Sequence, residues 1–206
     1  MNIIYLLFHG LSPYSGISKK ILHQVKGFEA CGHRVSLCTY SIADNGHRVR
    51  MINNEIIEDY GTGKPAAAKR RVSYQCIYRY AVTHQVELIY VRSFHNANPF
   101  TIRLFSKLRK AGIKIAMEIP TYPYDSEYAG FPLVTRLGIQ VDKVFRKTLA
   151  KHVNAIVTFS DYHCIFGQRT IQISNGVDFD SIPLKKTVAK NTSVIHLLGV
   201  AEVPYW

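Results

Sequence analysis

Apolar runs of strand length alternate along this chain with segments of helical period, and that alternation constrains the fold more than any other feature. "NIIYLLF" (2–8) is apolar throughout, as a strand buried on both faces of a parallel sheet must be. After the loop "HGLSPYSG", residues 17–31 place Ile17, Ile21, Val25 and Phe28 on one helical face, and Gly32 in "CGH" supplies the stop. "RVSLCTY" (34–40) is a second strand. A weaker hairpin over 49–60 and a helix over 65–85 follow. "VELIYVR" (86–92) and "IKIAMEI" (113–119) are strands flanking a helix in "PFTIRLFSKLRKAG" (99–112). A long helix spans 132–151, with Leu133, Leu137, Val141, Val144 and Thr148 as its apolar face. "VNAIVTFS" (153–160) is a strand, residues 161–166 a short helix, and "IQIS" (171–174) a last short strand. Strands alternating with helices predict an α/β fold with a Rossmann-like, doubly wound parallel sheet.

Several function classes drop out. No apolar run approaches the ~20 residues that a membrane-spanning helix needs. The first residues lack a basic start and a small-residue cleavage site, so they read as a strand and not as a signal peptide. Cys31, Cys38, Cys76 and Cys164 form no CxxC pair, which fits a reduced, cytoplasmic chain with buried thiols. GxSxG, HExxH and GxxxxGK[ST] are absent and the histidines lack metal-ligand spacing, so neither a metal nor a bound cofactor is expected. Charge points the other way: 26 Lys and Arg against 14 Asp and Glu give +12. Such a balance favours anionic partners. No nucleic-acid motif accompanies it, so nucleic acid is not an expected partner. The basic residues Lys69, Arg70 and Arg71, and Arg136, Lys143, Lys147 and Lys151, fall on helices as solvated faces. They also suit an anionic membrane surface, where each nearby Lys or Arg contributes about 1 kcal/mol.

Ligands of open α/β sheets bind at the carboxyl ends of the strands, so the loops there are the candidate sites. In "HGLSPYSGIS" (9–18), Gly10 and Gly16 flank a helix start whose amides make a seat for phosphate, or else serve a tight turn. His95, in "RSFHNANPF", stands where a neutral imidazole would meet a substrate hydroxyl, or else is a polar surface residue of the loop. In "EIPTYPYDSEY" (118–128), Glu118 near a strand end is accompanied by Tyr122, Tyr124, Asp125, Glu127 and Tyr128. Aromatic faces with carboxylates suit a polyhydroxylated ligand; a proline-stiffened loop capping the sheet is the equal alternative. In "ISNGVDFDSIP", Asn175-Gly176 is a turn signal.

Taken in order, these pieces resemble the N-terminal domain of the retaining GT-B glycosyltransferases. The residues that carry the resemblance are "GISKKILHQVKGFEACGHRVSLCTY" after its glycine loop, the strand reaching Ser160, and "ISNGVDFDSI", similar to that family's Asn-Gly-Val-Asp signature. "VIHLLGVAEVPYW" is similar to the first strand and loop of the family's second domain. The resemblance implies an acceptor-side domain over 1–184, a linker over 185–192, and the start of a donor-binding domain over 193–206. It implies transfer of a sugar from a nucleotide-sugar donor to a hydroxyl of a saccharide or lipid-linked acceptor, without metal, and an isolated chain that is inactive. Gly16, with Ser15 and Ile17, matches the loop whose amides approach the donor; Gly199 falls in the corresponding turn of the second domain. Glu118 and His95 fall at the family's strand-end catalytic positions, although many members carry a histidine where Glu118 stands. Val200-Ala201 replace the usual Gly-Arg.

The alternative expectation is a stand-alone Rossmann-like module docking on an anionic polymer or membrane, peripheral to the inner face of that membrane. The apolar strand 193–198 predicts self-association through an unpaired edge.

Overall fold

The computed structural model describes residues 1–93, 96–124, 133–174 and 176, without the side chains of 134 and 135. Its strands are β1 (Asn2–Leu6), β2 (Arg34–Ile42), β3 (Arg48–Ile52), β4 (Glu55–Asp59), β5 (Leu88–Arg92), β6 (Lys114–Ile119), β7 (Ala155–Thr158), β8 (Cys164–Ile165) and β9 (Gln168–Gln172). Its helices are α1 (Gly16–Ala30), α2 (Gly63–Val72), α3 (Gln75–Thr83), α4 (Pro99–Lys110) and α5 (Leu133–Ala150). The sheet order is β4-β3-β2-β1-β5-β6-β7-β9-β8. β2, β1, β5, β6, β7 and β9 run parallel, while β3, β4 and β8 join antiparallel at the two ends. The chain is thus α/β with a mostly parallel sheet, and the order reverses at β1, whose neighbours are β2 and β5.

The two faces are covered unequally. On one, α1 sets Ile21, with Val25 and Phe28, against Ile3, Tyr5, Leu7 and Tyr90. On the other, α3, α4 and α5 bury Ile77, Leu104, Phe105, Leu108, Leu149 and Ala150 against Ile4, Leu6, Ile89, Val91, Ile115 and Ile156. Local signals set most boundaries. Gly32 takes φ 79° just past α1, and Asn98 caps α4 in a reciprocal capping box with Thr101, ahead of Pro99. Asn53 and Asn54, at φ 49° and 70°, make the β3–β4 turn.

Three expectations are corrected. The helix over 65–85 is two helices, broken at Ser73-Tyr74. The Tyr74 ring turns inward onto Phe8 (centroids 5.7 Å apart), and its hydroxyl donates to the Arg71 carbonyl at 2.7 Å, closing α2. The short helix over 161–166 is a hairpin instead. Phe166 and Gly167, at φ 52° and 82°, form a two-residue turn that pairs Cys164 with Arg169 and Ile165 with Gln168. The third concerns α5: Leu133, Leu137, Val141 and Val144 are 68%, 58%, 45% and 71% exposed, and Thr148 is exposed as well. The buried side carries Ile139, Asp142, Leu149 and Ala150, because Asp142 turns inward to accept from the Ala97 amide at 2.9 Å. Of the thiols, Cys38 and Cys76 are buried while Cys31 and Cys164 are exposed; all four are free. The expected linker at 185–192 and the expected second-domain segment 193–206 lie outside the described residues.

Candidate functional site

Strand order reverses between β1 and β5, and in open α/β sheets the crevice at the carboxyl ends of such a pair is where ligands bind. The loop after β1 forms one wall. It passes so close to β2 that a Cβ on Gly10 would lie 2.8 Å from the Tyr40 carbonyl oxygen, so only glycine fits. The Tyr40 amide donates to the His9 carbonyl at 3.3 Å, and the Ser12 amide to the buried Ser18 hydroxyl at 2.9 Å, which hold the loop in place. It delivers the chain to Ser15, the N-cap of α1, and to Gly16, the first helical residue. No side chain caps this helix start and its first turn holds no acid. A Cβ on Gly16 would meet nothing within 4 Å. Gly16 and Ile17 therefore present an open helix N-terminus, where backbone amides and the helix dipole favour an anion, whereas the Ser15 amide already donates to the Ser12 carbonyl at 3.2 Å. One turn on, the Lys20 ammonium lies 3.3 Å from the centroid of the Phe159 ring. Desolvation lowers the Lys20 pKa, the nearby Arg92 adds to that, and Glu118 opposes it.

Beneath the floor lies a polar network. Glu118 is fully buried. Arg92, its neighbour across β5 and β6, donates to Oε1 at 2.5 Å, while the Tyr90 hydroxyl and the Gln24 amide donate to Oε2 at 2.7 and 2.8 Å. The Tyr5 hydroxyl in turn donates to Gln24 at 2.6 Å. Burial, reinforced by the Glu118 charge, pushes the Tyr5 and Tyr90 hydroxyls well above their ordinary pKa. Both oxygens of Glu118 are thus occupied, and the carboxylate ties β5 and β6 to α1 from below the crevice. Breaking such a pair from one side costs about 3–5 kcal/mol.

The aromatic residues expected to line an acceptor site pack against the β8–β9 hairpin. The Tyr122 ring lies edge-on to Tyr162 and Phe166, at centroid distances of 5.0 and 5.5 Å, and the Tyr122–Pro123 peptide is cis. Tyr124 is 7% exposed and donates its hydroxyl to Asp142 at 3.3 Å; Arg146 lies over Tyr124 and Phe166. Tyr122 is half-buried and Tyr124 buried, both packed with the core on the face opposite α1. His95, Asp125, Glu127, Tyr128 and Gly199 lie outside the described residues.

The structure therefore brings Ser15, Gly16, Ile17 and Lys20 together above Glu118, and it separates Tyr124 from them. Lys20, Arg92 and Asp142 were not singled out by sequence reasoning as parts of the site. Arg92 carried a readable signal, a lone charge closing an apolar strand; Asp142 carried only its place inside a helical period. Among the described residues no three His, Cys, Asp or Glu side chains are placed to hold a metal ion, and no helix is long and apolar enough to cross a membrane. In comparison with known proteins, the chain matches no protein-family model, no curated protein and no solved structure.

Proposed function

We propose that this chain is the acceptor-side half of a retaining, nucleotide-sugar-dependent glycosyltransferase of GT-B type. The observation that carries the reading is the open, acid-free N-terminus of α1 at the point where strand order reverses, reached through a loop that Gly10 alone permits. Its support from sequence is the order of the glycine loop, the strand reaching Ser160 and the Asn-Gly-Val-Asp segment. In this reading the α1 amides and Lys20 stabilise the charge that develops on the leaving diphosphate. In this reading Tyr122 helps to position the acceptor sugar, and residues of a second domain hold the nucleotide. Glu118 acts through Arg92 and Tyr90, fixing the floor. The test is release of nucleoside diphosphate from nucleotide sugars by the protein as the cell makes it. Gly16→Trp, whose side chain enters open space, is expected to abolish turnover with the melting temperature unchanged. Equal turnover in the variant would remove the α1 terminus from the reaction.

A second reading, docking on an anionic membrane, is favoured by the exposed face of α5. Leu133, Leu137, Val141 and Val144 stand in solvent beside the exposed Arg136, Lys147 and Lys151, the combination by which interfacial helices bind lipid. Co-sedimentation with vesicles of phosphatidylglycerol but not phosphatidylcholine, lost in Leu137→Glu, is the expected result. Equal binding to both lipids would rule out the electrostatic version.

A further inference from the structure

A second basic site lies beside the crevice, on the opposite face of the sheet from α1. β3 places Arg48 and Arg50 next to the end of β2, with Arg50 opposite Tyr40 in register. The Arg48 guanidinium donates to the Tyr40 hydroxyl at 2.7 Å. From α2, Arg70 lays its guanidinium over the Tyr40 ring, 4.2 Å from the centroid. Arg50 is 1% exposed; its Nη1 donates to the Leu7 carbonyl at 2.7 Å, and its guanidinium carbon lies 5.9 Å from the Phe8 centroid. Tyr40 is thus held between arginines from two elements, at the carboxyl edge of β1 and β2.

Among the described residues no carboxylate reaches salt-bridge distance of Arg48, Arg50, Arg70 or the neighbouring Arg71. Two acids on the adjacent strand β4 are engaged elsewhere: Asp59 binds His47 at 2.7 Å, and Glu58 binds Arg79 at 3.6 Å. The groups facing Arg50 are the thiols of Cys38 and Cys76, the Tyr60 hydroxyl and the Leu7 carbonyl. Two buried donors, Nε of Arg50 and Nε of Arg70, have no hydrogen-bond partner. Desolvation lowers the Arg70 pKa, Tyr40 opposes this, and Arg71, Arg48 and Arg50 add to the lowering; at Arg50 desolvation is outweighed by Cys38, Tyr60 and Cys76, and the pKa is raised.

Burying one guanidinium without an anion is costly, and crowding Arg48, Arg50 and Arg70 together adds repulsion. A bound anion removes both costs. Guanidinium groups match the oxygens of a tetrahedral oxyanion with paired, charge-assisted hydrogen bonds. Three to four positive charges call for a dianion, since a single carboxylate would leave most of the excess in place. We propose that Arg48, Arg50 and Arg70, arranged around Tyr40, form a binding site for a phosphate monoester, carried by a soluble phosphorylated metabolite or by a lipid headgroup. The site stands independently of glycosyl transfer, because nothing in it depends on the α1 terminus.

The test titrates the 206-residue chain with inorganic phosphate, with a hexose phosphate, and with vesicles containing phosphatidic acid, each against sodium chloride at matched ionic strength. Arg48→Gln and Arg70→Gln alter half-exposed side chains and are expected to keep the native circular dichroism spectrum. Each is expected to weaken phosphate binding by about tenfold or more, the value of one charge-assisted hydrogen bond. Lys110→Gln, at the exposed end of α4, serves as the control and should bind as the parent does. Binding of the soluble phosphates identifies a metabolite site; binding confined to phosphatidic acid vesicles identifies a headgroup site. No binding by the parent to any of the three overturns the proposal. So does binding that Arg48→Gln, Arg70→Gln and Lys110→Gln weaken alike, since that is general charge attraction. Should Arg70→Gln lose its fold, Arg48→Lys replaces it: the charge stays while the planar fork is lost, and tenfold weaker binding at unchanged stability is again expected.

Discussion

Glu118 shows how much a side chain's meaning depends on its depth. At the end of an apolar strand, a carboxylate reads as a group aimed at substrate. Here it has no exposed surface, and Arg92, Tyr90 and Gln24 take both of its oxygens. Sequence placed the residue at the strand end; it did not show which face of the sheet the residue joins, or that Arg92 stands beside it in register. Arg92→Met is expected to lower unfolding free energy by about 3–5 kcal/mol in urea denaturation, by leaving a buried charge unpaired. Replacing the pair together, Arg92→Met with Glu118→Leu, should cost less than the sum of the single changes. An additive result would show that the two groups are not energetically a pair. The thiols offer a second check at this scale. Burial pushes the Cys38 thiol up to about 12, and burial also raises Cys76. Only thiolates react with disulfide reagents. Ellman's reagent at pH 8 should therefore titrate Cys31 and Cys164 in the folded chain, and all four only in denaturant. Four rapid equivalents without denaturant would contradict this burial.

At the scale of elements, α5 is where periodicity reaches its limit. Its sequence carries apolar residues on two faces, and both obey helical spacing. The stripe Leu133, Leu137, Val141, Val144 is the more apolar, yet it stands in solvent. What selects the other face is Asp142, a polar residue that the amide of Ala97 and the hydroxyl of Tyr124 draw inward. A hydrophobic pattern assigns no such weight to an acid. Leu137→Glu or Val144→Glu should change stability by less than about 0.5 kcal/mol, whereas Leu149→Ala should cost about 2–5 kcal/mol. A large loss in both glutamate variants would mean that the stripe is covered. The split of α2 from α3 was hidden for a similar reason: Ser73-Tyr74 is a poor break by composition, and the partner that draws Tyr74 inward, Phe8, lies far away in the chain. The β3–β4 hairpin was legible because its turn residues, Asn53-Asn54, sit between its two strands.

For the whole molecule, the alternation of apolar runs and helical segments was enough to specify a parallel α/β sheet, because burial on both faces leaves a mark in composition. Strand order was not legible, since it depends on which edge of β1 each crossover chooses. The arginine site depends on the same information. Its members are spread over β2, β3 and α2, and they meet only through the antiparallel register that sets Tyr40 against Arg50. The +12 charge is legible in the sequence, but not the register that sets Arg50 against Tyr40.

The unequal covering of the sheet has a dynamic consequence. Among the described residues, one helix shields the face of Tyr5 and Tyr90, beside an open hollow of about 410 Å³ lined by Val25, Leu37 and Met51, whereas three helices bury core residues on the other. Segments with fewer buried neighbours open at lower free energy than the rest of a domain. In deuterium exchange, amides of α1 should therefore be labelled sooner than those of α4; equal rates would mean that the molecule opens only as a single unit. The helix that opens first is also the one that offers its amino end to the crevice. Occupancy of that end would then register as a slowed isotope clock along all of α1, so the thin side of the fold can report its own ligand.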